Sequence, residues 1–550
     1  MFKFKEIFRK QINSITVAAA LVALSSLASR FLGVIRDRIL AGQFGAGATL
    51  DAYYAAFRIP DLIYNLIVLG ALSAGFIPIF TTLIKDFKCE AEKGCDPIIK
   101  NKDAWDLTNN ILNWLLLGLA ILSVIGIIFA PGLMRLITPG FNPAEQAATA
   151  ALTRVMFLSP LFLGISGILG GVLQSFKRFM IYSLAPIFYN IGIIIGALYF
   201  VKIWGVYGLA WGVVLGAAMH MAIQLPTVYH LGFRYHFKIK WRDLNTARIG
   251  RMMVPRTLSL AISQINLVVI TILASGLSSG SLAVFNFANN LQSFPIGIFG
   301  ISYAIAAFPS LAAAAFDKEK LTANFSQSFR QILFFIIPAT VLIVALRAQI
   351  IRVVLGTGKF GWQDTILTMN TLGIFAFSLF AQATIPLLVR VFYARHNSKT
   401  PFFIGLFTVA VNTALALWLA PRLGVVGLAL AYSIDNILNF TLLWIWLSAK
   451  VGNLDIRRIL VAVFKFTISA LAAGGAAQIM KVVVWPVIDM TKFSGVFIQL
   501  IISTGIGLLV YCFFCYLFRT EELANFLSSL KRRLPFKKVK VDDQGEAMGI

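Results

Sequence analysis

Charged side chains are scarce in this chain of 550 residues: Asp, Glu, Lys and Arg together make up 13%, about half the share found in a soluble globular protein. Apolar residues make up 59%. This combination excludes a soluble fold, because a soluble protein would leave much of that apolar surface in contact with water. Many apolar runs reach the ~18 residues needed to cross a bilayer of about 30 Å of hydrocarbon. The sequence therefore predicts an all-α integral membrane protein.

Acidic residues are scarcer than basic ones, 23 against 48, which gives a net charge of +25. Nucleic-acid binding is not expected, because no module of basic and aromatic residues accompanies the charge. Loops on the side of the N-terminus carry 34 of the 48 Lys and Arg residues, and loops on the other side carry eight. Basic residues collect on the cytoplasmic side of membrane proteins. We therefore expect both termini in the cytoplasm.

Cysteine and histidine are also rare, with four residues of each type. Cys89 and Cys95 lie in a polar loop and could form half a metal site, but no second ligand pair is nearby. The Cys512-x-x-Cys515 pair lies in an apolar run, where two small residues of a lipid-facing helix are expected rather than a redox motif. The histidines lack metal-ligand spacing. We predict no metal site, no catalytic residue and no bound cofactor.

Apolar segments predict fourteen transmembrane helices, and the only long pieces outside them are 83–104, 232–254 and the tail 519–550. None of these pieces is large enough for an appended catalytic domain. The predicted helices are 12–41, 50–82, 105–130, 148–174, 182–201, 206–231, 255–276, 282–313, 327–346, 365–392, 401–420, 425–448, 459–480 and 495–518.

A short repeat divides the chain. Gly205-Val-Tyr-Gly-Leu-Ala210 recurs 219 residues later as Gly424-Val-Val-Gly-Leu-Ala429, and each copy opens a predicted helix. This pattern predicts two six-helix bundles related by a pseudo-two-fold axis along the membrane normal, an arrangement known from transporters. The expected units are an N-terminal lobe at 1–232, a C-terminal lobe at 233–450, two further helices at 451–518 and a basic cytoplasmic tail at 519–550.

Charges inside predicted spans indicate function, because a charge at membrane depth needs a wet cavity or a partner. Asp51, Tyr54, Arg58, Asp61 and Asn65 fall within an arc of about 80° on the second helix. The first helix carries a second charged stripe, and we expect the two stripes to face one cavity. For the arginines the alternative is snorkelling to the membrane interface. The charges of the first helix are Arg30, Arg36, Asp37 and Arg38.

The matching helices of the second bundle carry amides and hydroxyls instead. The predicted cavity is therefore cationic on the first lobe and neutral on the second, although contacts between helices are an alternative role for these polar groups. Arginine binds phosphate in a bidentate manner, so the cavity suits an anionic substrate such as a diphosphate. The neutral residues are Asn286, Asn289, Asn290 and Ser293 on the eighth helix and Ser259, Ser263 and Asn266 on the seventh.

Several motifs of the chain resemble the MurJ (MviN) family of lipid II flippases. The similarity extends over about residues 15–450 and includes the count of fourteen helices. The motifs are Ser29-Arg-Phe-Leu-Gly-Val-Ile-Arg-Asp37, Phe44-Gly-Ala-Gly47, Asp51-Ala-Tyr-Tyr-Ala-Ala-Phe-Arg-Ile-Pro60, Gly75-Phe-Ile-Pro78, Gly171-Val-Leu with Arg178-Phe, Ala185-Pro-Ile-Phe-Tyr-Asn190, and Arg390-Val-Phe-Tyr-Ala394 with Thr400-Pro401.

The resemblance implies a function. Members of the family belong to the multidrug/oligosaccharidyl-lipid/polysaccharide exporter superfamily. They move an undecaprenyl-diphosphate-linked disaccharide-pentapeptide across the bacterial inner membrane by alternating access. By this resemblance we expect a monomeric transporter, not an enzyme, whose partners are that lipid and the surrounding membrane lipids.

The resemblance also implies site residues. Arg30, Arg36, Asp37 and Asp51 match family positions of the cavity, and Arg58 stands where the family has a basic residue. Two departures remove cations: the family has an arginine pair at Tyr64 and Asn65, and an Asp-Arg pair at Asn289 and Asn290. The predicted substrate-binding residues are Arg30, Arg36, Asp37, Asp51, Arg58, Asp61 and Asn290.

Other functions stay open at this point. A flippase for another lipid-linked oligosaccharide fits the same features. A cation-coupled multidrug exporter of the same superfamily would be favoured by an acidic cavity, whereas the predicted cavity is basic. A membrane enzyme would need an acidic metal site or catalytic carboxylates near a sizeable loop, and the sequence shows neither. The energy source is either a monovalent cation or the membrane potential. Asp435, Asn436 and Asn439 with Asn412 could bind a cation or could form a buried hydrogen-bonded network.

Overall fold

The computed structural model describes residues 15–69, 75–84, 101–240 and 242–533. Every regular element within these ranges is a helix. The N-terminal basic residues, most of the predicted loop 83–104 with Cys89 and Cys95, and the tail beyond residue 533 lie outside the described residues, as does the side chain of Ser259.

The helices follow one another with short connections, as expected for antiparallel neighbours in a bundle. The helices are α1 Ile15–Phe44, α2 Ala48–Tyr64, α3 Lys102–Ile137, α4 Pro143–Ser175, α5 Phe179–Trp204, α6 Tyr207–His230, α7 Leu244–Ser275, α8 Ser281–Ala313, α9 Lys318–Val354, α10 Trp362–Phe377 with Leu379–Ala394, α11 Lys399–Leu423, α12 Val425–Val451, α13 Ile456–Val487, α14 Phe493–Leu517 and α15 Glu521–Arg533. Helix α2 continues through a π-helical turn at Asn65–Leu69, and a short helix at Ile77–Leu83 follows it.

Ten helices among the described residues are long and apolar enough to cross a membrane, and the two halves of α10, bent by 46°, raise the number to eleven. The predicted all-helical membrane architecture is confirmed. The other three predicted spans correspond to α1, α2 and α7, each of which carries charged side chains along its length. The count of fourteen is consistent with these helices.

The repeat is visible in the backbone. Gly205, between α5 and α6, has φ 56° and ψ −141°, and Gly424, between α11 and α12, has φ 62° and ψ −142°. These left-handed angles favour glycine. Three residues on, a side chain at Gly208 or Gly427 would collide with the backbone of the preceding helix. Both copies of the motif therefore make the same tight helical hairpin.

The second and eighth helices share another feature. Each contains a proline, Pro60 in α2 and Pro295 in α8, and each passes into a π-helical turn within about one helical turn of it. Proline removes a backbone donor and clashes with the preceding turn, so the hydrogen-bond pattern changes there. The two helices have matching positions in the two bundles.

The ends of the bundle differ. One end, called here the short-turn end, contains the connections α1–α2, α3–α4, α7–α8 and α9–α10. The opposite end, called the basic end, contains the connections after α6, α8, α10 and α12 with their Lys and Arg residues. Helices α13 and α14 pack against α9.

The apolar core is continuous between the lobes only towards the short-turn end. There one cluster joins Leu40 and Tyr53 of the first lobe to Phe285 and Phe375 of the second. Towards the basic end the described core splits into two clusters. One surrounds Trp105 of the first lobe and includes Ile249 of α7, and the other involves the second-lobe helices α9, α10 and α12. The core is thus divided at the basic end, with the start of α7 on the side of the first lobe.

Candidate functional site

Helices α1 and α2 meet one face of α8 along a line of polar contacts, called here the lobe seam. The α8 residues in these contacts are spaced three or four apart, which places them on one face of a helix. From the first to the last they extend about 21 Å, at 1.5 Å per residue. They are Ala283, Asn286, Asn290, Ser293 and Gly297.

Asp51 of α2 forms the contact nearest the short-turn end. Its carboxylate accepts hydrogen bonds from the backbone N–H groups of Gly280 at 2.6 Å and Ala283 at 2.8 Å. The N-terminus of a helix carries unpaired N–H groups and a partial positive charge, so a carboxylate there is stabilised. Asp51 is buried and holds α8 against α2, which gives this predicted substrate-binding residue a structural contact.

Two backbone approaches close the short-turn end further. The N–H of Lys359 donates to the carbonyl of Gly42 at 2.8 Å, and the N–H of Ala46 donates to Asp364 at 3.3 Å. Gly280, with φ 91°, lies so close to the carbonyl of Ala46 that no side chain fits between them. The two lobes are therefore in direct contact at this end.

Arg58 forms the next contact of the seam. Its Nε donates to Thr271 Oγ1 of α7 at 2.7 Å, and a terminal nitrogen donates to Asn286 Oδ1 of α8 at 3.0 Å. Both acceptors are neutral. The guanidinium is thus oriented between the lobes by two hydrogen bonds, and the carboxylate of Asp61, one turn further along α2, acts on it through charge alone.

Asp37 joins the two lobes near the middle of the seam. One carboxylate oxygen accepts from Arg36 at 2.8 and 3.0 Å, and the other accepts from the Asn290 amide at 2.8 Å. Arg36 also donates to Asn190 of α5 at 3.1 Å. Asn290 itself is solvent-exposed, which places it at the edge of the space between the lobes.

Arg30 makes the last contact of the seam. Its guanidinium donates to the backbone carbonyl of Ser293 at 3.2 Å and lies over Gly297, where a side chain would collide with it. Like Arg58, it has a neutral acceptor. Arg30 and Asp37 are seven residues apart on α1 and both point at α8.

The two departures from the family pattern in α2 lie beyond the seam. The Asn65 side chain donates to the carbonyl of Asp61 at 2.8 Å, which satisfies a backbone acceptor at the start of the π-helical turn. Tyr64 packs against the apolar cluster around Trp105. Neither position carries a charge that replaces an arginine.

Other predicted polar residues belong to networks inside the second lobe. Asn289 accepts from Gln292 at 3.0 Å, and Gln292 in turn accepts from Gln382 at 2.9 Å, which also bonds Ser378 at the bend of α10. The Asn412 amide donates to Asn266 at 2.5 Å. Asn289 therefore faces its own lobe, whereas its neighbour Asn290 faces the seam.

The sequence did not indicate three residues that complete the seam. Asn190 and Thr271 supply acceptors for Arg36 and Arg58, and Gly297 supplies the space for Arg30. Asn190 lies in a quoted family motif, which was a usable signal, whereas nothing local distinguishes Thr271 from other hydroxyls. No group of three metal-ligating residues occurs among the residues that the structure describes.

Taken together, the first lobe supplies every charged side chain of the seam and the second lobe supplies neutral groups. Asp37 is paired with Arg36 and Asp51 is bound by N–H groups. Arg30 and Arg58 have only neutral partners among their described contacts. Two oriented guanidinium groups whose hydrogen-bond acceptors are neutral can bind an anion between two lobes, as a membrane transporter for an anionic substrate requires.

Comparison with known proteins identifies the family. A family model described as lipid II flippase MurJ matches residues 40–497, and the chain belongs to that family. It is 30% identical over 494 residues to the "probable lipid II flippase MurJ" of Buchnera aphidicola subsp. Acyrthosiphon pisum, covering 88% of this chain and 93% of that protein. It is 29% identical to the lipid II flippase MurJ of Burkholderia cenocepacia over 436 residues, 77% and 82% of the two chains.

Solved structures share the fold. A lipid II flippase MurJ in an inward closed conformation superposes with a TM-score of 0.73 at 24% identity, covering 91% of this chain and 98% of that one. An inward-facing multidrug transporter of the MATE family, from the MOP superfamily, superposes with a TM-score of 0.65 at 15% identity, covering 79% and 99%. The all-helical transporter fold expected from the sequence is thus confirmed.

Proposed function

We propose that this protein moves lipid II, a lipid-linked peptidoglycan precursor, from one leaflet of the bacterial inner membrane to the other. Membership of the MurJ family supports this function. The observation that carries it in this chain is the pair Arg30 and Arg58, two cations oriented between the lobes by neutral acceptors. A diphosphate would replace those acceptors with charged ones, and a charged hydrogen bond is stronger.

The divided core supports alternating access. The core is continuous at the short-turn end and divided at the basic end, where the start of α7 packs on the first lobe. A headgroup therefore enters between the two parts from the basic end, which the charge distribution predicts to be cytoplasmic. We propose that the transported lipid carries an undecaprenyl chain through its diphosphate. We also propose that the protein acts as a monomer, without enzymatic chemistry on its substrate and with both termini in the cytoplasm.

The seam suggests how substrate and lobe movement are coupled. Arg36 divides its donors between Asp37 and Asn190, and Asp37 also holds Asn290 of α8. A diphosphate bound to Arg30 and Arg36 competes with the Ser293 carbonyl and with Asp37 for the same donors. Binding therefore weakens the contacts of α1 with α8, and the lobes gain freedom to separate.

Coupling to a monovalent cation is a separate proposal. Asp435 and Asn412 are both buried, and one side-chain oxygen of each has no hydrogen-bond partner. Two buried oxygens, one of them carboxylate, are suitable ligands for a hard cation. The membrane potential is the other energy source consistent with an anionic substrate.

The function is tested by complementation of a bacterium depleted of its lipid II flippase. The wild-type chain should restore growth, and the Arg30→Ala, Arg58→Ala double variant should not, although it inserts and folds. Arg154→Ala is the matched control, because Arg154 is an exposed arginine of α4 that donates to the Ile127 carbonyl, away from the seam. Full rescue by the double variant would show that the two charges do not bind substrate.

A further inference from the structure

The connection between α6 and α7 has a regular side-chain pattern. From Arg234 to Lys240 the chain forms neither helix nor turn, and α3 bonds its backbone at every second residue. This is the spacing of an extended chain, in which successive side chains point to opposite sides. Basic residues occupy the even positions and apolar or aromatic residues the odd ones, and the pattern continues in the sequence through Trp241 and Arg242. This segment, residues 234–240, is called here the strap. Its even members are Arg234, His236, Lys238 and Lys240, and its odd members are Tyr235, Phe237 and Ile239.

Three asparagines of α3 hold the strap by its backbone. Asn109 accepts from the N–H of His236 at 3.1 Å and donates to the Arg234 carbonyl at 3.0 Å. Asn110 likewise accepts from the N–H of Lys240 at 2.7 Å, and Asn113 donates to the carbonyls of His236 and Lys238 at 3.1 Å. The side-chain amides thus serve as the neighbouring strand that the strap lacks. The hydroxyl of Tyr235 also donates to Asn113 Oδ1 at 2.9 Å.

Two of the three odd side chains of the strap, Tyr235 and Phe237, are exposed, and Ile239 is partly buried. Phe237 is 76% exposed and Tyr235 56%, and Leu244, at the start of α7, is 86% exposed. Tyr229, at the end of α6, is exposed beside them and stacks under Arg234. Aromatic side chains at the ends of membrane helices lie at the membrane–water interface, and this group lies at the basic end of α6 and α7.

The two lysines of the strap carry more positive charge than the one carboxylate that they contact among the described residues. Lys238 and Lys240 share one carboxylate, Asp106 of α3, at 3.5 and 3.6 Å, and both ammonium-bearing side chains are about half exposed. Arg242 follows two residues later, and Arg248 and Arg251 lie in the first turns of α7. In this part of the described chain, the basic residues outnumber the three acids Asp103, Asp106 and Asp243.

We propose that the strap is a binding site for anionic phospholipid headgroups of the leaflet at the basic end. Its aromatic side is seated among the headgroups and upper acyl chains, and its basic side binds their phosphates. The occupant is a lipid of the surrounding membrane because aromatic and basic groups alternate at the height where helices leave the bilayer, which is the chemistry of an interface. The site is separate from the seam and from the transported substrate.

The test measures lipid binding without substrate. The purified full chain is placed in nanodiscs of phosphatidylcholine with increasing phosphatidylglycerol, and the lipids retained after extraction are counted by native mass spectrometry. Wild type should retain phosphatidylglycerol selectively. The Lys238→Gln, Lys240→Gln double variant should bind it about tenfold more weakly, and Phe237→Ser should also lose retention. Neither change disturbs the asparagine contacts, which involve only the backbone of residues 238 and 240.

The matched control is the Lys318→Gln, Lys399→Gln double variant, which removes two exposed cations from the same end of the second lobe and should bind phosphatidylglycerol like wild type. Equal binding by the strap variant and wild type would overturn the proposal, as would an equal loss in the control. Glycerol 3-phosphate at millimolar concentration should not displace the lipid. If it does, the site binds soluble phosphates and the lipid assignment is wrong.

Discussion

Asn290 is the seam residue most open to solvent, and this exposure decides what a charge there would do. Its amide donates to Asp37 at 2.8 Å, so the guanidinium of an Asn290→Arg variant can reach the same carboxylate. An arginine buried between helices would be penalised by ~2.5–3.5 kcal/mol or more, but an exposed one beside a carboxylate is not. We expect the purified variant to melt within about two degrees of wild type and to support growth, with both measured in parallel. A clear fall in melting temperature would place Asn290 in a packed helix interface.

Gly297 controls the position of Arg30. A methyl group there would occupy the space of the guanidinium, which can move because it is the end of a flexible side chain. Gly297→Ala should therefore reduce transport about as much as Arg30→Ala while leaving the melting temperature almost unchanged. Gly33→Ala is the matched control, since nothing lies near that position of α1. The transport activities of the two glycine variants are compared in proteoliposomes. Normal activity of Gly297→Ala would show that substrate binding does not depend on the position of Arg30.

The charged residues of α1 and α2 could be predicted from the sequence because helical periodicity decides which side chains share a face. Arg30 and Asp37, seven residues apart, do point together at α8, as does Arg58. Their partners could not be predicted in the same way. Thr271 and Asn190 reach the seam through the packing of α7 and α5, which no local pattern encodes. The substrate-binding roles of the predicted residues stay predictions.

At the scale of single helices, hydropathy located the membrane part of each helix but not its ends. The predicted span 255–276 belongs to a helix that begins at Leu244, and 327–346 belongs to one that begins at Lys318. Both helices start with an aspartate cap: Asp243 accepts from the N–H of Thr246, and Asp317 from the N–H of Lys320. Helices extend beyond the hydrocarbon wherever capping and solvation of the backbone continue.

The strap and α15 were both expected as loop or tail, since only their basic charge was considered. The alternation of basic and apolar residues at 234–240 was visible in the sequence and indicates an extended segment. What the sequence could not show is that asparagines of α3 pair with it, because those contacts join residues more than 120 positions apart.

Helix α15 is attached by three ion pairs of different burial, one of which joins Arg330 to Glu521 at 3.3 Å. Arg330 of α9 contacts Glu522, and both are buried, whereas Arg458 contacts Glu521 at 2.7 Å and both are about half exposed. Arg330→Ala leaves a buried carboxylate unpaired and should destabilise the protein by ~3–5 kcal/mol. Arg458→Ala should change stability by less than ~1 kcal/mol. The melting temperatures of the two variants are measured in detergent by tryptophan fluorescence. Equal decreases in melting temperature would contradict the argument from burial.

For the whole molecule, the distribution of Lys and Arg predicts the orientation in the membrane. In a variant with all four cysteines replaced, Lys359→Cys lies in the exposed turn after α9 and Lys238→Cys lies on the strap at the opposite end. A membrane-impermeant maleimide added to intact spheroplasts should label position 359 and not position 238, and disruption of the membrane should expose both. Labelling of position 238 alone in intact spheroplasts would show that the protein has the opposite orientation.

The one-sided distribution of charge at the seam has an electrical consequence. Six of the predicted substrate-binding residues are charged, three positive and three negative, so the charges of this group sum to zero when all six are ionised. A voltage across the membrane therefore exerts no net force on this group when the lobe moves empty. The potential does work only on the bound anionic substrate, about 2.3 kcal/mol for each charge moved through 100 mV. With the cell interior negative, the membrane potential favours outward movement of the protein with bound anion. It does not affect the return of the protein without substrate. The six are Arg30, Arg36, Asp37, Asp51, Arg58 and Asp61.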